Sequence, residues 1–173
     1  MVEKVKYGVL KNINDVEIRK YPELILAIVE GIDEDNQFGL LFNYISGDNK
    51  TKNKIKMTAP VITSEKIKMT APVITQKNYM AFIMPSIYTK DTVPTPLNPK
   101  VKIKIEHEKI FAVIRFSGYA TNNKIEKYKE KLINKLKSHN IKLVGEPVLM
   151  RYNSPFAPGF IRRNEVAIEI IYK

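Results

Sequence analysis

The segment from Lys54 to Thr75 contains the ten residues KIKMTAPVIT twice, without a change and with a period of twelve. Because successive side chains of a strand point to opposite faces, a shift of twelve residues returns every side chain to the face that its copy uses. Extended copies would therefore have one apolar face and one polar face. The apolar face would carry Ile55, Met57, Ala59, Val61, Ile67, Met69, Ala71 and Val73, and the polar face Lys54, Lys56, Thr58, Pro60, Lys66, Lys68, Thr70 and Pro72.

Each copy of the repeat contains one proline, Pro60 or Pro72. Proline cannot donate a hydrogen bond to a sheet, so it is confined to a strand end, an edge or a bulge. The polar segment Thr63–Lys66 is short enough to turn the chain. We predict a hairpin of two short strands limited by their prolines. The alternative is that one copy forms an inserted surface loop without a strand partner.

The composition excludes several classes of site. A chain of 173 residues fits one domain that buries roughly 70% of its unfolded surface. The absence of cysteine excludes disulfides, zinc–thiolate sites, iron–sulfur clusters and cysteine nucleophiles. No apolar run approaches the ~18 residues of a membrane span, and the N-terminal residues lack the apolar core of a signal peptide. We therefore expect a soluble, cytoplasmic protein.

The formal net charge is +11, which raises the question of nucleic-acid binding. The 29 basic residues are spread along the chain and mostly alternate with apolar residues. This pattern is typical of lysines on the solvent face of strands and helices. No DNA- or RNA-binding signature accompanies them. We expect no nucleic-acid partner, although the positive field gives a weak attraction for anionic ligands or surfaces.

The first half of the chain, to about residue 87, has a helix between strands. The apolar residues Phe38, Leu41, Phe42 and Ile45 recur at helical spacing within residues 35–45. Acidic residues precede this segment and Gly47 follows it, as expected at the two ends of a helix. The predicted strands of this half are 16–19, 24–30 and 79–84, besides the two repeat copies.

Residues 88–99 contain three prolines and no periodicity, so they form the predicted linker. The second half, about residues 100–173, repeats the order of the first. Its predicted elements are strands at 101–106, 110–116, 147–152 and 165–171, and a helix at 122–138 capped by Thr121. We infer an α+β fold in one domain over residues 1–173, in which two related halves, each with one helix, combine their strands into one curved sheet or barrel.

Six separated motifs in a fixed order connect this chain with a known family. They are MTAPV after YISGDN, FIMPSIYT, PTPLNP, FSG, EPVLMRYNSP and RRNEVAIEI. The chain resembles the SOUL haem-binding protein family, in the form with a doubled MTAPV motif seen among its prokaryotic members. The resemblance implies a distorted antiparallel β-barrel of two pseudo-symmetric halves. That fold is similar to the effector-binding domains of multidrug-responsive transcription regulators.

The same resemblance implies a shallow apolar surface for haem or other tetrapyrroles. It involves the first helix and the loop before the sequence RRNE. A flat macrocycle needs a broad apolar floor, and its carboxylates suit guanidinium groups. Mapped onto this sequence, the ligand-binding residues are Phe38, Leu41, Phe42, Ile45, Phe156 and Phe160, with Arg162 and Arg163 beside them.

Each of these residues also has a purely structural interpretation. The four apolar helix residues are what any helix packed on a sheet shows. An arginine of the Arg162-Arg163 pair that binds Glu165 would hold the last strand to its loop. His107 and His139 are expected at the surface, outside the apolar wall. Met57 and Met69 are possible soft ligands but are expected in the core. We therefore predict no protein metal site, and haem held by shape and charge.

These observations favour a non-enzymatic protein that binds haem or another tetrapyrrole and traffics or buffers it, with a monomeric state preferred. The alternative is a stand-alone sensor domain for amphipathic small molecules, for which a buried, unpaired Glu or Asp would be evidence. No Ser/His/acid constellation, metal-ligand spacing or phosphate-binding glycine loop supports an enzyme. The doubled strand could instead recruit a partner by strand addition.

Overall fold

The computed structural model of the protein describes residues 3–31, 33–51, 67–153 and 156–173. Two helices, α1 (Glu34–Ser46) and α2 (Asn122–Ser138), accompany the strands in these ranges. The strands are β1 (Glu3–Lys4), β2 (Gly8–Ile13), β3 (Val16–Tyr21), β4 (Leu24–Glu30), β5 (Asn49–Lys50), β6 (Thr70–Gln76), β7 (Tyr79–Ile83), β8 (Thr95–Pro96), β9 (Lys102–Glu106), β10 (Lys109–Ser117), β11 (Lys142–Arg151) and β12 (Arg163–Ile171). The α+β class is therefore confirmed.

The chain forms two compact units that interleave along the sequence. Described residues within 1–5, 24–73 and 77–106 belong to the first unit, and those within 6–23, 74–76 and 107–173 to the second. The predicted halves follow one another along the chain and are divided by a linker. Each of the observed units instead consists of three separate segments of the chain. The N-terminal strands β2 and β3 belong to the second unit.

In the first unit, α1 packs on β4 and β7. Strand β4 pairs antiparallel with β7 on one side and with β9 on the other. The apolar side chains Val29, Leu41 and Phe82 are buried together where the helix meets the strands. Burial of this helical stripe is what stabilises a helix of this length, because its intrinsic propensity alone is insufficient.

The ends of α1 are defined by the residues that the sequence indicates. The Asp33 carboxylate accepts a hydrogen bond from the backbone N–H of Asn36 at 3.0 Å, which satisfies a free donor of the first turn. Gly47 ends the helix with a φ of +127°, a backbone conformation that glycine adopts without strain. The predicted helix at 35–45 is confirmed, with one further residue at each end.

In the second unit, five antiparallel strands follow the order β2, β3, β10, β12, β11. Helix α2 packs on one face of this sheet, where Leu132 and Leu136 are fully buried against Ile114 and Ile168. Thr121 caps the helix as predicted. The opposite face carries a smaller apolar cluster and a group of buried charged residues.

Two expectations about the strands differ from the structure. Thr70 and Pro72, predicted on the polar face of the repeat, are both buried in β6. A strand that is covered on both faces does not show the alternation that a half-exposed strand requires. The strand β2 was not predicted, because its residues carry no apolar alternation: five of them are exposed and only Ile13 is buried.

Other predictions are untested by the described ranges. The first copy of the repeat and the turn at 63–66 lie outside the described residues, so the hairpin stays a prediction. No described strand pairing closes either unit into a ring, so the barrel also stays a prediction. Within the described ranges, neither helix is long and apolar enough to cross a membrane.

The buried side chain of Tyr44 allows a test of the first unit. Its hydroxyl donates a hydrogen bond to the carbonyl of Pro94 at 2.8 Å. Tyr44→Phe should lower the free energy of unfolding by about 1–3 kcal/mol, because the buried carbonyl loses this donor. Urea unfolding measures the change, with Tyr172→Phe at a partly buried site as the control. Equal effects of the two variants would contradict this role for the Tyr44 hydroxyl.

Candidate ligand-binding site

Helix α1 exposes part of its apolar stripe. Phe38 and Phe42 stack with their ring centroids 6.0 Å apart, and Phe38 also makes an edge contact with Phe82 at 5.5 Å. The Phe42 side chain is 47% exposed, whereas Leu41 and Ile45 are buried in the core. The surface that the helix offers to a ligand is therefore formed by Phe42, with Phe38 supporting it from below.

The loop before β12 presents a second group of apolar side chains. Phe156 is 95% exposed and Phe160 is 85% exposed, and Ile161 is also largely exposed. Phe160 and Ile161 lie in a single 3-10 turn, Gly159–Ile161. Aromatic side chains with this exposure have an unfavourable contact with water, which a ligand can remove.

The backbone of this loop is held in place by Arg162 and Tyr119. The Arg162 Nε donates to the carbonyl of Ala157 at 2.7 Å, and its guanidinium lies 4.5 Å from the centroid of the Tyr119 ring. A Cβ atom at Gly159 would lie 2.5 Å from a carbon of the same ring, so a larger residue there would require the Tyr119 ring to shift. These contacts fix the backbone of residues 157–162, from which Phe160 extends. The sequence patterns did not identify Tyr119 as part of this arrangement.

Arg163 has a different environment from its neighbour. Its Nη2 donates to Glu165 Oε1 at 2.6 Å, and its Nε donates to the same oxygen at 3.0 Å. Its guanidinium also lies 4.2 Å from the centroid of the Tyr152 ring. The structural interpretation, in which an arginine of this pair binds Glu165, is confirmed for Arg163.

The predicted ligand-binding residues divide between the two units. Phe38, Leu41, Phe42 and Ile45 belong to the first unit, and Phe156, Phe160, Arg162 and Arg163 belong to the second. A single wall formed by both sets therefore stays a prediction. What each unit shows by itself is an exposed aromatic surface, and in the second unit a guanidinium lies close to it.

The candidate iron ligands are not part of these surfaces. The His107 side chain is 85% exposed, and its Nδ1 lies 3.2 Å from a carboxylate oxygen of Glu23. His139 follows the last turn of α2 and its Nδ1 lies 2.9 Å from the carbonyl of Lys135. Met69 packs against the core of the first unit, and Met57 lies outside the described residues. Across the described ranges, no cluster of three or more His, Cys, Asp or Glu side chains could hold a metal ion.

Glu165 is the centre of a buried polar group in the second unit. Its side chain is 0% exposed. Arg19 donates to both of its oxygens, from Nη1 at 2.7 Å and from Nη2 at 3.1 Å. The Tyr152 hydroxyl donates to Oε2 at 2.8 Å. With the two bonds from Arg163, this carboxylate accepts five hydrogen bonds among the described residues, so its charge is fully compensated.

Arg19 has further partners that fix its position. Its Nε donates to Glu17 at 2.7 Å, and its Nη1 donates to the Tyr21 hydroxyl at 3.2 Å. Its guanidinium lies 4.2 Å from the centroid of the Tyr7 ring. The partnership of Arg19 with Glu165 could not be predicted from the sequence, because the two residues are 146 positions apart and no local pattern connects them.

The protonation of this group follows from its contacts. Burial acts to raise the pKa of Glu165, but the hydrogen bonds and charges of Arg19 and Arg163, with the Tyr152 hydroxyl, outweigh burial and hold this pKa below its usual value. Burial raises the pKa of Tyr152 and of Tyr21, so both phenols stay neutral. The group therefore holds a charged carboxylate away from solvent.

The Glu165 carboxylate should make stability dependent on pH. Its folded pKa lies below the unfolded value, so its stabilising effect is complete above about pH 4.5 and is lost as the pH falls through the folded pKa. Glu165→Gln should lower the free energy of unfolding at pH 7 by about 3–5 kcal/mol, because the buried Arg19 and the partly buried Arg163 lose the anion that they share. Urea unfolding between pH 7 and pH 3 should also show a weaker pH dependence for this variant.

A matched control for this test is Glu169→Gln on the same strand, where the carboxylate pairs with Lys109 and both side chains are partly exposed. We expect it to change the free energy of unfolding by less than about 1 kcal/mol. A Glu165→Gln protein as stable at pH 7 as this control would contradict the role of Glu165 as a buried, charged centre.

Solved structures similar to this chain show the same fold at low identity. The crystal structure of the EcmrR C-terminal domain matches with a TM-score of 0.58 and 10% identity, covering 96% of this chain and 99% of that one. EcmrR in a cryo-EM complex with DNA matches with a TM-score of 0.59 and 10% identity, covering 91% of this chain and 57% of that one. The crystal structure of a hydrolase from Listeria innocua matches with a TM-score of 0.56 and 10% identity, covering 91% and 92%.

At this identity, the solved structures support the fold alone. No curated protein matches the chain. The family is shown instead by the sequence itself, because the family model described as SOUL heme-binding protein matches residues 2–169. With nearly its whole length matched, the chain belongs to the SOUL heme-binding protein family.

Proposed function

We propose that this protein binds haem or another tetrapyrrole on exposed aromatic surface, and that it carries or buffers this ligand without catalysis. The observation that carries the proposal is the exposure of phenyl rings in both segments that the family resemblance indicates. These rings are Phe42 on α1 and Phe156 and Phe160 in the loop that Arg162 holds.

The residues present fit the chemistry of such a ligand. Phe42 is backed by the stacked ring of Phe38, so it offers a flat apolar surface rather than a mobile single side chain. Phe160 protrudes from a turn whose backbone is fixed. The guanidinium of Arg162 lies in the same loop, where it can bind a carboxylate of the ligand. Apolar contact and one fixed cation are what an amphipathic macrocycle requires.

The histidines do not support axial ligation of iron. Both His107 and His139 are exposed, and each contacts a polar group rather than an apolar surface. We propose that shape and charge hold the ligand, so that binding is weak and reversible. A bound haem would supply redox and ligand-exchange chemistry. Because this binding mode gives the iron no protein ligand that would tune that chemistry, transport or buffering of haem fits better than catalysis.

The alternative function, a stand-alone sensor of amphipathic small molecules, would be favoured by a buried and unpaired acid. Glu165 is buried, but Arg19 and Arg163 both bind it. Its charge is therefore already compensated, and it has no excess attraction for a cationic ligand. This favours the tetrapyrrole proposal over the sensor.

A hydrolytic function has little support. Ser138 lies 3.1 Å from Nδ1 of His139, but its hydroxyl donates to the carbonyl of Lys135, and both residues lie at the exposed end of α2. This arrangement does not activate the serine as a nucleophile. A cytoplasmic location, a monomeric state and the absence of nucleic-acid binding remain expectations from composition.

A hemin titration tests the proposal. We expect a saturable Soret change and quenching of tyrosine emission on adding hemin to the purified protein. Phe42→Asp and Phe160→Asp should each weaken binding about tenfold or more, because each removes an apolar contact worth more than 1.4 kcal/mol. The control is Ile87→Asp, which alters a highly exposed apolar side chain that is not among the predicted ligand-binding residues and should leave the affinity unchanged.

Two outcomes would contradict the proposal in different ways. The absence of a saturable Soret change would remove tetrapyrrole binding itself. Loss of the Soret change in His107→Ala or His139→Ala would show that a histidine ligates iron, against binding by shape and charge. Circular dichroism of each variant separates loss of binding from loss of folding.

A further inference from the structure

We propose that the buried polar group around Glu165 is a guanidinium-binding site that the chain fills with its own Arg163. In this proposal Arg163 closes the site to other planar cations, since it occupies the place that such a cation would take. The inference goes beyond tetrapyrrole binding and does not depend on it, because it concerns a buried group rather than the exposed rings of Phe42 and Phe160.

The surroundings of the Arg163 guanidinium are those of a recognition site for a planar cation. The Glu165 carboxylate accepts two of its hydrogen bonds, at 2.6 Å and 3.0 Å. The Tyr152 ring lies against its face, with 4.2 Å from the central carbon to the ring centroid. The Tyr7 hydroxyl accepts a further bond from Nη2 at 3.2 Å. A carboxylate at the edge, an aromatic ring on the face and a hydroxyl acceptor together match a guanidinium in shape and charge.

The two arginines of the group have different roles. Arg19 is almost fully buried and is held by Glu17 and Tyr21 as well as by Glu165. Arg163 donates only to Oε1 of the Glu165 carboxylate, and its side chain is 22% exposed. Arg19 is therefore part of the framework, whereas Arg163 is the cation that can leave toward solvent.

The charges of the native group indicate what a cationic ligand could replace when Arg163 is absent. Glu17 and Glu165 compensate Arg19 and Arg163 in the native group. Removal of the Arg163 side chain leaves one carboxylate charge in excess beside the Tyr152 ring. Glu165 would keep its bonds from Arg19 and Tyr152 but lose the two bonds from Arg163, and a planar cation that enters this space can restore them.

In the native chain an added cation must compete with Arg163. A tethered group acts at an effective concentration on the order of millimolar or higher, so it lowers the apparent affinity of any external competitor. The native site is therefore closed to small guanidinium ligands, although its surroundings are built to bind one.

Titration with methylguanidinium chloride tests this proposal, because the probe replaces the group that Arg163→Ala removes. We expect the melting temperature of Arg163→Ala to rise saturably over millimolar probe, with an apparent affinity at least about tenfold higher than that of the native protein. The double variant Arg163→Ala/Glu165→Gln should lose this response. Tetramethylammonium, a cation without planar donors, should give no comparable shift.

Arg151→Ala is the matched control for loss of an arginine. Arg151 lies opposite Asn164 on the neighbouring strand, and Asn164 immediately precedes Glu165. Because successive side chains of a strand alternate between faces, Arg151 points to the face opposite that of Glu165. We expect no response to methylguanidinium in this variant. A folded Arg163→Ala protein that binds the probe no better than Arg151→Ala would overturn the proposal.

A second measurement covers the case in which Arg163→Ala does not fold. Refolding of this variant should then be rescued by methylguanidinium, and lack of rescue would overturn the proposal. Arg163→Met, which fills the space with an apolar side chain, should gain no affinity for the probe. A gain in Arg163→Met equal to that in Arg163→Ala would also contradict a site of guanidinium shape.

Discussion

The second unit is organised around one buried carboxylate. Glu165 on β12 and Arg19 on β3 lie on the two strands that flank β10, so their ion pair spans the central strand of the sheet. Tyr152, just beyond β11, binds the same carboxylate. Such a group adds little stability compared with an apolar core, but removal of one partner is costly because it leaves a charge without compensation. The group connects β3 with β12 across β10, and Tyr152 adds the end of β11 to the same contacts.

The two faces of that sheet therefore differ in how apolar they are. On one face, the apolar side chains under α2 form an uninterrupted core around Ile114 and Ile168. On the other face, a small cluster around Val113 and Ala167 accompanies the charged group. The charged face resembles a ligand-binding site, but the charges of its arginines and glutamates compensate one another. The exposed phenyl rings are the surface that we propose for an amphipathic ligand.

Helix α1 shows how one periodic pattern serves two purposes. Leu41 and Ile45 are buried against the strands, while Phe42, one residue after Leu41, is 47% exposed. A stripe of helical spacing is wider than the contact that a sheet can make with it, so one edge of the stripe is left in solvent. Periodicity identified the stripe correctly but could not distinguish its core side from its exposed side. That distinction depends on the angle at which the helix lies on its strands.

The sequence by itself determined the elements whose signals are local. The acidic residues at the start of α1, the glycine after it, the cap Thr121 and the apolar spacing of both helices were predicted from neighbouring residues, and the structure agrees with them. Six ordered motifs likewise identified the family. The tertiary structure alone decided what depends on distant partners: the pairing of Arg19 with Glu165, the burial of Thr70, and the exposure of Phe42. Capping and periodicity act within a few residues, whereas burial and ion pairing depend on which strands become neighbours.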